Sequence, residues 1–168
     1  MSPEDPPVGP EAGRLAEPID RTDRAILAAR VADGRIAVRA LAQKIHISRA
    51  NAYARIARMM AAGVIAGFTA RLDPAKIGLG TSAYVSLTIE QNAWRAVLEK
   101  LREIPYVEHI ALVGGDYDVL VLVRAPDNAV LRQVVLERIQ GISSVRSTRT
   151  WLVFEEAGGL GAVRLPGG

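Results

Sequence analysis

Five consecutive apolar residues, at positions 119–123, constrain the fold of this 168-residue chain more than any other segment. A strand with one face in water alternates apolar and polar residues, whereas a strand covered on both faces is apolar throughout. The segment is too short to span a membrane, which needs ~20 apolar residues. It therefore predicts a strand inside a sheet that is covered on both sides.

The segments around this strand alternate between the hydrophobic periods of strands and helices. Every second residue is apolar in 81–90, which is typical of a strand, and apolar residues recur at helical spacing in 94–101 and 130–139. Two further strands are predicted in 107–115 and 145–156. The order β-α-β-β-α-β is the ferredoxin-like arrangement, which we predict for residues 81–156.

Two helices packed on a four-stranded sheet cover only one of its faces. A second copy of the same sheet is the simplest cover for the other face, so we predict a homodimer formed through the C-terminal domain. A tail that folds back over the sheet is the alternative. The Gly-rich residues 157–168 offer few apolar side chains for that purpose.

Three short helices are predicted between residues 20 and 62. Asp20 and Ser48 are predicted to cap the first and third helices, and Gly63 to end the third. The predicted inward positions are Ile26, Leu27 and Val31 in the first helix, Leu41, Ala42 and Ile45 in the second, and Ile56, Met59 and Met60 in the third. Two helices joined by a short connection, the second opened by a Ser cap, predict a helix-turn-helix.

The remaining segments define the predicted domain boundaries of an α+β protein. Residues 1–18 are acidic and Pro-rich and residues 157–168 are Gly-rich, so both are predicted to be disordered or flexible tails. Residues 64–72 are predicted as a short β-segment that completes a (winged) helix-turn-helix domain over 19–72. Residues 73–80 are predicted to be a linker.

Basic charge is concentrated in the helix-turn-helix segment. Residues 21–77 hold eleven Lys or Arg against three Asp, a net charge of +8, although the whole chain carries only +3. Such a concentration indicates a polyanion as partner, and double-stranded DNA is the polyanion that a helix-turn-helix binds. A solvated basic face without a partner is the alternative.

The predicted third helix supplies the candidate DNA contacts. Arg can make two hydrogen bonds to guanine and Asn two to adenine, and residues near the helix start would reach the bases. The candidates for base contact are Arg49, Ala50, Asn51 and Tyr53. Ser48 and the helix start would bind a phosphate. Arg55 and Arg58 would contact phosphate or brace the packing of the helix.

Composition excludes several classes of function. The chain has no Cys, which excludes disulfides, thiol chemistry and Cys-built zinc sites. Its first residues lack the basic-then-apolar order of a signal peptide, and we expect a cytoplasmic protein without a membrane partner. Neither a cofactor nor a metal ion is predicted.

Several motifs, in order, resemble the signature of the Lrp/AsnC transcription regulators. They are I-D-x-x-D-x-x-I-L from Ile19, D-G-R, L-A, S-x-x-x-x-x-x-R-I from Ser48, G-V-I-x-G from Gly63, an L-D-P linker and a G-D-Y-D turn. One departure is R-M-M-A-A-G at 58–63, where the family usually carries Leu and acidic residues. The resemblance covers residues 18–156. It implies a prokaryotic DNA-binding regulator, dimeric or higher and often octameric, whose ferredoxin-like domains pair by their sheets. It also implies an amino-acid effector between subunits, as in many members.

The glycine-rich turn before the apolar strand has several interpretations. No phosphate-loop motif is present, and a metal site built from Asp116, Asp118 and His109 would be a poor cluster. A bare hairpin turn and a lip of the effector site both remain open, and they are compatible. In the lip, which the resemblance suggests, glycine N–H groups would bind a carboxylate and an Asp would pair with an ammonium group. The predicted effector residues are Gly114, Gly115, Asp116, Tyr117 and Asp118.

Enzymatic activity is not predicted. The two histidines, His46 and His109, fall in different predicted domains, and no catalytic constellation emerges. His46 is predicted to be a turn residue. Some Lrp-like proteins are sirohaem decarboxylases. That activity would require a second histidine after the hairpin, near the position where this chain has Arg124. A tetrapyrrole-processing or small-molecule protein without a regulatory role is therefore the alternative hypothesis.

Overall fold

The computed structural model describes residues 18–156, which form two compact units, 18–70 and 71–156. The predicted tails, apart from Pro18, lie outside the described residues. Within the described part of the chain, no helix is long and apolar enough to cross a membrane.

The first unit consists of three helices, α1 (Arg21–Ala32), α2 (Val38–Lys44) and α3 (Arg49–Ala61). The predicted caps are confirmed. Asp20 accepts a hydrogen bond from the Asp23 N–H at 2.8 Å, and the Asp23 carboxylate returns one to the Asp20 N–H at 3.2 Å, which forms a capping box. Ser48 Oγ accepts from the Asn51 N–H at 3.1 Å. Gly63 stops the last helix with a φ of +71°.

The core of the first unit differs from the prediction at four positions. It consists of Ile26, Ala29, Leu41, Ala42, Ala52, Ile56 and Met59, with Leu27 and Ile45 packed at its margin. Val31 and Met60 are 53% and 47% exposed, so their prediction as inward residues was wrong. Small alanines take the interior positions because Ala29 lies one turn from Ile26 and Ala52 one turn from Ile56, and the helix period decides the face.

The predicted β-segment at residues 64–72 is also wrong, because the structure has no strand there. Val64 and Ile65 instead pack beside the helical core, and the Ile65 N–H donates to the Met59 carbonyl at 3.1 Å. A strand needs a partner for its backbone groups, and a helical unit offers none. The predicted linker contains a short 3₁₀ turn, Ala75–Ile77.

The second unit confirms the ferredoxin-like prediction. Its elements are β1 (Thr81–Ile89), α4 (Trp94–Glu103), β2 (Val107–Leu112), β3 (Val119–Ala125), α5 (Asn128–Gln133) with a π-helical continuation (Val134–Ile139), and β4 (Val145–Val153). The strands form one antiparallel sheet in the order β2-β3-β1-β4. The helices contribute Val97, Leu101, Leu131, Val134, Val135 and Ile139 to a core under one face of this sheet.

Both faces of the apolar strand β3 include residues that are buried within a single chain. Val119, Val121 and Val123 are fully buried in the helix-side core. Leu122, on the opposite side, is only 1% exposed within a single chain, since Tyr84 and His109 flank it on the neighbouring strands. A second sheet is therefore not needed to bury Leu122.

Candidate nucleic-acid interface and effector turn

The start of α3 presents the predicted base-contact residues to solvent. The predicted contact residues that are exposed here are Ser48, Arg49, Ala50, Asn51 and Tyr53. The Ser48 hydroxyl accepts one hydrogen bond from the helix, so its proton remains available for a phosphate oxygen. Ala52 is fully buried and holds this turn against the core. Both guanidinium and amide groups are thus displayed on a rigid helix end.

The other two predicted residues, Arg55 and Arg58, are half-buried and bind α1. Arg55 Nη1 lies 2.9 Å from Asp23 Oδ1 and 2.6 Å from Asp20 Oδ2, while Arg58 Nη2 lies 2.6 Å from Asp23 Oδ2. Asp23 has no exposed surface. Of their two predicted roles, the structure shows the bracing of helix packing. A phosphate contact by either arginine stays a prediction.

The charge states of this cluster follow from its contacts. Burial raises the pKa of Asp23, but the hydrogen bonds from Arg55 and Arg58 outweigh it and hold the pKa below the ordinary 3.8. The Asp23 backbone N–H, followed by Arg55, lowers the pKa of Asp20. These carboxylates also raise the pKa of Arg55. All of these groups are therefore ionised at neutral pH.

The role of Asp23 as an ion-pair partner was not predicted from the sequence. A usable signal exists. Asp20 and Asp23 are one helical turn apart in α1, and Arg55 and Arg58 are one turn apart in α3. Two acid–base pairs with matching spacing on different helices are able to dock side by side.

Part of the basic charge in this unit therefore serves the fold. Arg30 is a further example, because its Nη1 donates to the carbonyls of Gly34 at 3.1 Å and Ile36 at 2.9 Å. Its guanidinium also lies 5.1 Å from the centre of the Phe68 ring. The predicted turn residue His46 connects α2 to α3 with a φ of +59°. Arg49 differs from these arginines, because it lies at the start of α3 and its side chain is exposed.

The glycine-rich segment between β2 and β3 is a hairpin turn, as predicted. Gly115 has a φ of +130°, a conformation that side chains disfavour. A Cβ on Gly114 or Gly115 would meet no atom within 4 Å, so the space beside the turn is open. Among the described residues, no three His, Asp or Glu side chains come together in a group that could hold a metal ion.

The five predicted effector residues differ in what they contact. Gly114, Gly115 and Asp116 are exposed. Asp118 closes the end of β1, because its N–H donates to Leu87 at 2.9 Å and its Oδ2 accepts from the Ile89 N–H at 2.8 Å. One of its carboxylate oxygens is thus engaged in the fold.

Tyr117 connects the turn to the edge strand β4. Its ring packs edge-on against Trp151, with 5.7 Å between ring centres and 67° between ring planes. Trp151 is 42% exposed on the sheet face opposite the helices, beside Tyr84 in the strand register. No sequence pattern predicts this contact, because it joins residues 34 positions apart.

Arg124 has a structural role. It is 7% exposed and donates to Ser82 Oγ at 2.9 Å, to Glu156 at 2.7 and 3.1 Å, and to Glu108. These carboxylates, Glu156 first, outweigh the effect of burial and raise the pKa of Arg124. The cluster ties the residues after β4 to the middle of the sheet.

An exposed basic recognition helix on one unit, followed by a separate ferredoxin-like unit, defines a DNA-binding regulator with its own ligand-binding domain. Comparison with known families agrees. Residues 19–66 match a winged helix-turn-helix DNA-binding family, and residues 82–158 match the Lrp/AsnC ligand binding domain. The HTH-type transcriptional regulator AldR of Mycolicibacterium smegmatis is 35% identical over 147 residues, 86% of either chain.

Further relatives give the same assignment. The leucine-responsive regulatory protein of Salmonella typhimurium is 32% identical and aligns over 85% of this chain and 89% of its own. Escherichia coli AsnC has a TM-score of 0.77 at 26% identity, over 82% of this chain and 93% of that one. The feast or famine regulatory protein of M. tuberculosis, solved with L-methionine, has a TM-score of 0.78 at 27% identity, over 84% and 96%.

The chain belongs to the Lrp/AsnC family of transcription regulators. Its relatives are transcription regulators with a DNA-binding and a ligand-binding domain, and this chain is a DNA-binding regulator of the same kind rather than an enzyme.

Proposed function

We propose that this regulator reads the DNA major groove with the start of α3. The contact residues are Ser48, Arg49, Ala50, Asn51 and Tyr53. The carrying observation is that these side chains are exposed, while Arg55 and Arg58 lock the same helix onto the buried Asp23. A rigid helix that displays free donors at its start suits base recognition, because its groups need no reordering on binding.

Substitutions at the start of α3 are expected to reduce discrimination between DNA sequences. Arg49→Ala and Asn51→Ala each remove a base contact worth about 1–3 kcal/mol, so the preference for the regulator's best site over random DNA should fall at least about fivefold. The measurement is the affinity of the protein for the DNA upstream of its own gene and for random DNA, each titrated at two salt concentrations.

Arg146→Ala is the matched control, since it removes an exposed arginine from β4 in the other unit. It should leave the ratio of specific to random affinity unchanged. Wild-type protein that binds upstream and random DNA equally would contradict the proposed DNA reading.

A homodimer formed through the open face of the C-terminal sheet is the second part of the proposal, with octamers as the larger assembly that the family resemblance implies. The open face is the side opposite the helices, and it carries Tyr84 and Leu120, both half-buried, and the exposed Trp151. These apolar groups favour contact with a like surface. Sedimentation of Trp151→Glu should give a smaller species than wild type, and an unchanged mass would exclude this face.

The third part of the proposal is an amino-acid effector at the turn 114–118, in a protein that acts in the cytoplasm. Support comes from the open space beside Gly114 and Gly115, the exposed Asp116, and the L-methionine bound by the M. tuberculosis relative. Glycine N–H groups would meet the ligand carboxylate, and Asp116 its ammonium group.

Thermal unfolding in the presence of each of the twenty amino acids tests this site. A ligand at ~100 times its dissociation constant adds ~2.7 kcal/mol to the stability of the native state, which raises the melting temperature measurably. Asp116→Ala should abolish the shift, whereas Glu90→Ala, at another exposed carboxylate, should keep it. A full shift in Asp116→Ala would show that the effector binds elsewhere.

A further inference from the structure

The side-chain amide of Asn51 has a fixed orientation. Arg55 Nε lies 3.0 Å from Asn51 Oδ1, one helical turn away. An arginine Nε carries a proton and can only donate, so the atom that faces it must be the amide oxygen. The amide nitrogen of Asn51, with its two N–H donors, is therefore the group directed away from Arg55.

Arg55 in turn is held by α1. Its Nη1 contacts both Asp20 and the fully buried Asp23, at 2.6 and 2.9 Å. The guanidinium is planar and its donors form a rigid fork, so binding Nη1 to the aspartates also sets the direction of the Nε–H. A continuous chain of charge-assisted hydrogen bonds thus runs from the interior of the first unit to a side chain on its DNA-facing surface.

We propose that Arg55 is a positioning residue that makes Asn51 a hydrogen-bond donor to DNA, so that Asn51 reads guanine in preference to adenine. This inference rests on the proposed contact of α3 with the major groove. Guanine shows two acceptors, O6 and N7, whereas adenine shows one acceptor and one donor. The usual pairing of asparagine with adenine uses the amide oxygen as acceptor, and in this chain the hydrogen bond from Arg55 occupies one lone pair of that oxygen and turns it toward Arg55. The sequence-based expectation of an adenine contact is thereby reversed.

The test is selection of binding sites from a randomised duplex library by the full chain. Asn51→Ala first identifies the base position that Asn51 reads, as the position whose preference is lost. At this position wild type should select guanine over adenine, roughly tenfold, as expected for one good side-chain contact. Arg55→Lys keeps the positive charge and its pairing with the aspartates but lacks an Nε–H, so the preference should fall to about equal use of the two purines.

Arg58→Lys is the matched control, because it changes the other guanidinium on Asp23, and it should keep the guanine preference. Circular dichroism melting confirms that each variant is folded. Adenine at the Asn51 position in wild type, or a guanine preference undiminished in Arg55→Lys, overturns the proposal. The proposal is also overturned if Asn51→Ala changes the base preference at no position of the selected sites. Failure of wild type to enrich any sequence would instead reject the proposed DNA reading itself.

Discussion

Asp23→Ala should lower the free energy of unfolding of the helix-turn-helix unit by about 2–3 kcal/mol. The change takes an ion-pair partner from both Arg55 and Arg58, and the capping box of α1 is lost as well. The loss is smaller than the roughly 3–5 kcal/mol usual for breaking a buried ion pair, because Asp20 still pairs with Arg55 and the side chains of Arg55 and Arg58 are 25% and 40% exposed and can reach water. Urea unfolding followed by far-ultraviolet circular dichroism measures the change.

The pH dependence of this effect identifies its cause. The pKa of Asp23 is lowered on folding from 3.8, so its ion pairs stabilise the unit fully above that pH and are lost as the pH falls through the folded value. Asp23→Asn, which keeps the size of the side chain, should differ from wild type at pH 7 and approach it as the pH falls below 3.8 through the folded pKa of Asp23. A difference that is constant across this range would mean that packing, not charge, is responsible.

Gly141→Ala should destabilise the ferredoxin-like unit by about 2 kcal/mol or more. A Cβ at this position would lie 2.5 Å from the Glu137 carbonyl oxygen, closer than non-bonded atoms approach. The obstacle is backbone of the π-helical segment, and the neighbouring Ile139 and Ile142 are both buried, so relief of the clash would disturb the core. Both tryptophans of the chain lie in this unit, so urea unfolding followed by tryptophan fluorescence reports on it.

Gly80→Ala is the matched control in the same unit. Its Cβ would lie 3.6 Å from the Pro126 carbonyl oxygen, an ordinary contact distance, and its stability should be close to that of wild type. Equal stabilities of the two alanine variants would show that the turn at Gly141 relaxes without cost.

The turn at 114–118 shows how much of a binding site can be predicted from sequence patterns. Its glycines predicted a hairpin, and the φ of Gly115 confirms it. The same residues suggested five equivalent effector contacts, yet Asp118 binds the end of β1 and Tyr117 packs on Trp151. The sequence shows which hydrogen-bond donors and acceptors a loop contains. It does not show which of them bind other parts of the same chain and which stay available for a ligand.

The sequence by itself determined the order of the three helices in the first unit, the ferredoxin-like topology of the second and the exposed start of α3. Hydrophobic period and capping residues act within a few positions of the chain, so they can be read without the fold. Only the tertiary structure decided that Val31 and Met60 face solvent, that residues 64–72 form no strand, and that Asp23 holds Arg55 and Arg58. These outcomes depend on which groups come into contact in the folded chain, and the ion pairs join residues more than 30 positions apart. Burial, strand pairing and ion pairing all arise from such contacts.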